Sequence, residues 1–299
     1  MLKGLTVAFV IAAALAVASA QEPIAIGIVR IDGHLMLIAR ITPQFFEAPP
    51  LATETIVNGE PLAPEAPIWP FAGIAWTLSQ GGGRKPVDLT TIEPVMVRMP
   101  YCSDRLMWRT TLKRPPAPEG VSPIRKLGMA VRGAAIEQPE DVANQPDAAS
   151  RRLSHHIVKL AHEKEALRLE SQPKEYWPPN SYGDRAQAPV RIEQLRRYAA
   201  GGVTTYYFEA AKSWWKDSPD GLVTGWITDL AGTLRDQDVE YKFNNDRHKE
   251  NASAKVWGIV RYQHRALWLL EWHGWEDEYY TVHDWPSGIT RAMVNAYEC

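Results

Sequence analysis

Cysteine is scarce in this 299-residue chain, which holds only Cys102 and Cys299. No Cys-x-x-Cys pair occurs, and a terminal thiol is poorly placed for the cleft and His partner that a nucleophile needs. Charge of one sign is also lacking, since the net charge is −2. Without residues 1–20 the chain loses Lys3 alone, leaving 32 basic residues against 35 acidic ones. The field that draws nucleic acid or an anionic membrane surface is therefore missing, and neither is expected as a partner. No Gly-x-Ser-x-Gly elbow, dinucleotide fingerprint, P-loop or His-Glu-x-x-His is present, so no cofactor is implied. Gly81-Gly82-Gly83 precedes Pro86 rather than a helix and reads as a turn. Asp236, Asp238 and Asp246 do not fit an EF-hand loop.

Long apolar runs are limited to one. Residues 5–17 carry no charge, but a membrane span needs about 20 predominantly apolar residues. With Lys3 before it and Ala18-Ser19-Ala20 after it, this stretch reads as a secretory signal peptide cleaved after Ala20. No Cys follows to accept a lipid. The expected mature chain is secreted or periplasmic and has no transmembrane segment. In that setting two cysteines predict a Cys102–Cys299 disulfide that tethers the C-terminus. Asn251-Ala-Ser253 is a glycosylation sequon that matters only in a eukaryotic secretory pathway.

What the chain has in quantity is 23 Pro and 12 Trp. Most Trp are expected in the core, and any left exposed would serve as stacking platforms for a sugar. Residues 24–41 read as a hairpin turning at Asp32-Gly33. Residues 43–70 hold seven Pro and read as a loop. Short strands are expected at 74–78, 95–98, 108–112 and 127–132. Residues 148–170 form an amphipathic helix, capped by Asp147 or Ser150, with Leu153, Ile157, Leu160 and Leu167 on one stripe and Lys164 snorkelling beside them. A short helix is expected at 191–199. Six β-branched or aromatic runs between 203 and 285 then predict an antiparallel sandwich or partly open barrel.

The expected fold is thus mainly β with one amphipathic helix, α+β being the alternative. It divides into a Pro-interrupted β region (21–146), a helical connector (147–199) and a C-terminal antiparallel β region (200–299).

Candidate chemistry is assembled from strand-borne residues. His155, His156 and His162 lack the i, i+4 spacing for a shared metal and belong on a solvent face. Glu209, Asp229, Glu271 and Glu278 interrupt apolar strands and supply carboxylates for glycoside hydrolysis. Glu209, Glu271 and His273 are the catalytic candidates, and Glu271, His273 and His283 form an alternative metal set to the expected absence of metal. On the strand at 265–273, Trp268 and Trp272 share one face, and Glu271 and His273 the other. If the Trp face is core, Glu271 and His273 face water, and Trp275 lies beyond them as an exposed aromatic. Trp275, Trp272 and Tyr280 are the ligand-binding candidates. Three classes of function follow: a non-catalytic protein binding a glycan or an envelope protein, a glycan-directed hydrolase, and a structural envelope component without a pocket.

Overall fold

A computed structural model describes residues 23–42, 46–47, 71–80, 84–97, 105–112, 125–143, 145, 147–171, 187–212, 221–245, 248–249, 253–263, 265–273, 277–285 and 289–298. The expected signal peptide, both cysteines of the expected disulfide, Trp275, Asn251 and Gly81–Gly83 lie outside the described residues.

Among the described residues the chain is mostly antiparallel β with one helix, in four stacked layers. The first is a closed barrel. Strands β1 (Ile24–Arg30), β2 (His34–Ile41), β4 (Ala75–Ser79), β5 (Val87–Val97), β6 (Arg105–Thr110) and β7 (Lys126–Arg132) run in the order β1-β7-β4-β5-β6-β2, and β2 pairs back onto β1. The short β3 (Phe46–Glu47) extends β2. The hairpin turn needs Gly33 at φ +85°, where its N–H donates to the Arg30 carbonyl at 3.0 Å. Alternation fills the barrel with Trp76, Trp108 and Phe71, which meet edge to face. The opposite faces of β1 and β2 send Ile24, Ile26, Ile28 and Ile38 outward, and these are equally buried. The Pro-interrupted N-terminal β region is therefore a closed barrel with two apolar surfaces.

The outward surface packs on the second layer, formed by β8 (Ile136–Glu137), β15 (Ser253–Tyr262), β16 (Arg265–His273), β17 (Asp277–Trp285) and β18 (Ile289–Glu298) in the order β18-β17-β16-β15-β8. Leu267, Leu269, Tyr280 and Val282 meet the barrel. Trp268, Leu270 and Trp272 face the other way, toward a third layer. That layer comprises β9 (Glu140–Asp141), β10 (Val190–Ala200), β11 (Val203–Lys212), β12 (Gly221–Leu230), β13 (Thr233–Asn245) and β14 (His248–Lys249), ordered β14-β13-β12-β11-β10-β9. The middle sheet is thus buried on both faces, and the expectation that Glu271 faces water is corrected: it is 1% exposed.

Helix α1 (Ala148–Glu170) covers the far face of the third layer, starting where Asp147 accepts the Ser150 N–H at 2.8 Å. Leu153, Ile157 and Leu160 are buried as expected, whereas Leu167 is exposed. In its later turns the helix buries the i+4 row Ile157, Ala161, Glu165 and Leu169, because Glu165 is held from below by Lys212 and by the Tyr241 hydroxyl at 2.8 Å. Residues 191–199 also differ from expectation. They form strand rather than helix, because β10 pairs along its length with β11 and buries Leu195 against the helix layer.

One topological detail places the cleft described next. Residues 136–141 pass from the edge of the middle sheet, at β8, to the edge of the third, at β9. They close the sandwich along β10 and β15. Among the described residues nothing joins the two sheets on the opposite side, where β13 and β17 lie.

Candidate functional site

On that side the two sheets part around a cavity of about 510 Å³. One wall comes from β11 and β12, with Tyr207, Thr224, Gly225 and Trp226. The other comes from β16 and β17, with Trp272, Tyr279, Thr281 and His283. Strand β13 supplies the rim, Asp238, Glu240 and Lys242.

The wall residues follow from strand period. Directly opposed residues of an antiparallel pair share a face. Trp268 opposes His283, Leu270 opposes Thr281 and Trp272 opposes Tyr279, so a Trp face on β16 brings His283, Thr281 and Tyr279 with it. The rim has a different cause. The β12–β13 register shifts between Thr224 and Trp226, and Asp238 in the bulge has φ +47°, a left-handed conformation uncommon for a residue with a side chain. A Cβ on Gly225 would lie 2.8 Å from Cα and Cγ2 of Val239, so glycine there is what lets the bulged strand approach. Bulges of this kind re-aim side chains, and this one sets Asp238 and Glu240 on the cleft.

Trp226 is the floor. Its ring centroid lies 5.0 Å from Tyr207 and 5.1 Å from each of Trp268, His283 and Trp285. Trp272 stacks on Tyr279 at 5.9 Å and 9°. The Lys242 ammonium sits 4.5 Å from the Trp272 ring centroid and 3.8 Å from a Glu240 oxygen. The Trp272 indole N–H donates to the Thr281 hydroxyl at 2.8 Å, and Thr281 Oγ1 in turn lies 3.0 Å from Nε2 of His283. With its oxygen engaged by the indole, the hydroxyl has its own proton to offer to a neutral imidazole.

Burial pulls the His283 imidazole down to about 4, from an ordinary 6.5. The unfolded chain then takes up the proton first. Stability is complete above pH 6.5 and is lost as pH falls toward 4, by up to about 3 kcal/mol for this group. Urea midpoints measured between about pH 7 and about pH 4 should therefore fall in the wild type and fall less in His283→Gln. Equal declines in the two proteins would remove this account of the imidazole.

Of the residues singled out from the sequence, the structure brings Trp272 and His283 together in the cleft. Glu209 lies behind it, its carboxylate accepting from the Tyr207 hydroxyl at 2.8 Å, the Ser253 hydroxyl at 3.1 Å and the Ala254 N–H at 2.5 Å. Burial raises Glu209 against those donors, and burial followed by the Glu209 charge pushes the Tyr207 phenol well up. Glu271 and Tyr280 are on the barrel side of the middle sheet, away from the cleft. There the Lys126 ammonium binds both Glu271 and Glu278, the Trp257 indole donates to Glu271 at 2.5 Å, and the Tyr280 hydroxyl donates to Glu278 at 2.9 Å. Those two carboxylates converge, but on a partly buried lysine rather than in a cleft. Asp229 is engaged by Arg152 at 2.8 Å.

His273 stands opposite Glu278 in the β16–β17 register. Glu271 and His283 project to opposite faces, so the alternative Glu271, His273 and His283 set cannot share an ion. No cluster suited to a metal occurs among the described residues. His156 reaches Asp236 and His162 reaches Lys212, each within a hydrogen bond.

Asp238, Glu240, Lys242 and Tyr279 were not among the sequence candidates. The signal that marks the first three is the run of charges at 238, 240 and 242, alternate positions along a strand.

No protein family, no curated protein and no solved structure matches this chain. The class that fold and site define is a layered β protein with an aromatic cleft between two sheets. Among the described residues no helix is long and apolar enough to cross a membrane.

Proposed function

We propose that this is an exported binding protein, secreted or periplasmic, whose inter-sheet cleft holds a glycan without transforming it. The observation that carries the reading is the cleft itself: a cavity of about 510 Å³ walled by Trp226, Trp272 and Tyr279 and rimmed by Asp238, Glu240 and Lys242. Ligand sites are concave and mostly apolar, with a few convergent polar groups. Sugar rings suit such a wall because their C–H faces stack on aromatic rings while their hydroxyls donate to carboxylates and accept from ammonium.

Two carboxylates in an aromatic cleft also favour the hydrolase reading. Asp238 and Glu240, however, lie on the same strand, and the facing wall offers Thr281 and a neutral His283. A glycosidase needs two carboxyl groups flanking the scissile bond. Binding is therefore the better supported of the two. The structural-component reading predicts no pocket, and the cleft weighs against it.

Titration with soluble oligosaccharides, followed by tryptophan fluorescence and by reducing-end assay, tests the proposal. Binding without new reducing ends is expected. Replacing the half-buried Tyr279 with Ala should weaken that binding at least tenfold while moving the melting temperature by only a few degrees. Release of reducing ends would give the cleft to the hydrolase, and an indifferent Tyr279→Ala would place the ligand elsewhere.

A further inference from the structure

The cleft already contains a bound ammonium, and it belongs to the protein. Lys242 lays its Nζ 4.5 Å from the Trp272 ring centroid, inside the roughly 6 Å range of cation–π attraction. The same nitrogen is 3.8 Å from Glu240, and Asp238 also lines the cleft. An indole face with a carboxylate next to it is the arrangement that recognises an alkylammonium group. Among the described residues that line the cavity, Lys242 is the one cationic side chain, against two carboxylates. Its ammonium stands on a flexible four-carbon stem, so it can leave the ring without moving the strand.

We infer that the ligand of this cleft is an amino sugar with a free, protonated amine, which takes the place of the Lys242 ammonium on Trp272 and beside Glu240. This rests on the glycan reading and narrows it to a substrate class. The rest of the cleft fits such a ligand. Thr224 and Thr281 offer hydroxyls to a sugar, and His283 on the far wall is neutral near pH 6 and adds no positive charge. A ligand amine competes with Lys242 for one position, so the lysine acts as a built-in competitor. It shields the carboxylates while the cleft waits and raises the threshold for weak cations.

The experiment compares a β-1,4-linked glucosamine tetrasaccharide with its fully N-acetylated counterpart, titrated against the full-length protein by calorimetry at about pH 6 in low and in high salt. The free-amine form should bind at least tenfold tighter, and added salt should narrow the gap because Coulomb attraction is screened. Lys242→Met should raise affinity for the amine severalfold by removing the competitor. Glu240→Gln should collapse the preference. Glu163→Gln, an exposed change on α1 remote from the cleft, should leave the preference as it is and controls for bulk attraction. Equal affinity for the two sugars, or tighter binding of the acetylated one, would overturn the amine assignment and leave the glycan reading standing. A preference untouched by Lys242→Met and Glu240→Gln would overturn it too. Failure of both sugars to bind would remove both readings.

Discussion

Replacing Lys126 with Met is expected to cost about 3–5 kcal/mol of folding stability, the penalty for removing one partner of a buried ion pair. The lysine is 10% exposed and sits between Glu271 and Glu278, which are 1% and 2% exposed. Its methylene stem can be replaced by Met at similar volume, so the loss reports charge rather than packing. The pH dependence is specific. Burial already raises Glu278 above the ordinary carboxylate range, with the Lys126 charge opposing it and the Glu271 charge adding to it. Without Lys126 it rises further. A folded-state pKa above the unfolded one means that the fold gains stability as pH falls through it. The deficit of Lys126→Met should therefore shrink in mild acid, and adding Glu278→Gln should restore part of it at neutral pH. Urea unfolding across pH reads both. A deficit that stays constant with pH would show that the ammonium holds no charge balance there.

Trp226→Ala should have a comparable effect for an unrelated reason. Removing a buried Trp leaves a void and typically costs 3–5 kcal/mol. Here the ring is 2% exposed and contacts four other rings. Each well-placed aromatic pair adds roughly 0.5–1.5 kcal/mol beyond its buried area. For a domain held by about 5–15 kcal/mol, such a loss brings the protein close to its unfolding threshold. Binding of the proposed glycan should be lost with it, since the ring is the floor of the cleft. Trp226→Phe keeps most of the packing and separates the two effects. A lowered urea midpoint with an unchanged m value identifies a change in stability alone. A variant as stable as the wild type would show that the two sheets do not depend on this ring.

Most elements set by neighbouring residues are legible in the sequence, and pairings between distant segments are not. Helix α1 was legible from Asp147 to Glu170 because capping and the 3.6-residue period are local. The hairpin of β1 and β2 was legible because Asp32-Gly33 marks its turn. The strands between 203 and 285 showed their alternation. Residues 190–200 did not, since Arg, Glu, Gln and Leu favour helix in isolation and become strand here through pairing with β11. Barrel closure rests on two residue pairs between β2 and β6, separated by some seventy residues of chain, and has no local signature. The cleft divides the same way. Trp272 and His283 stood out by residue type, while the placing of Asp238 and Glu240 depends on a bulge that register alone creates. Glu271 was expected in water because one covered face was visible in the alternation. The barrel that covers the other face was not.

That doubly covered sheet makes the molecule one cooperative unit. A fragment holding only the C-terminal sandwich would present Leu267, Leu269, Tyr280 and Val282 as a bare apolar surface, a ready site for aggregation. The barrel thus acts as a permanent companion to the cleft-bearing half, and β16 is the strand whose amides should exchange most slowly with deuterated solvent, because neither layer can open it without the other.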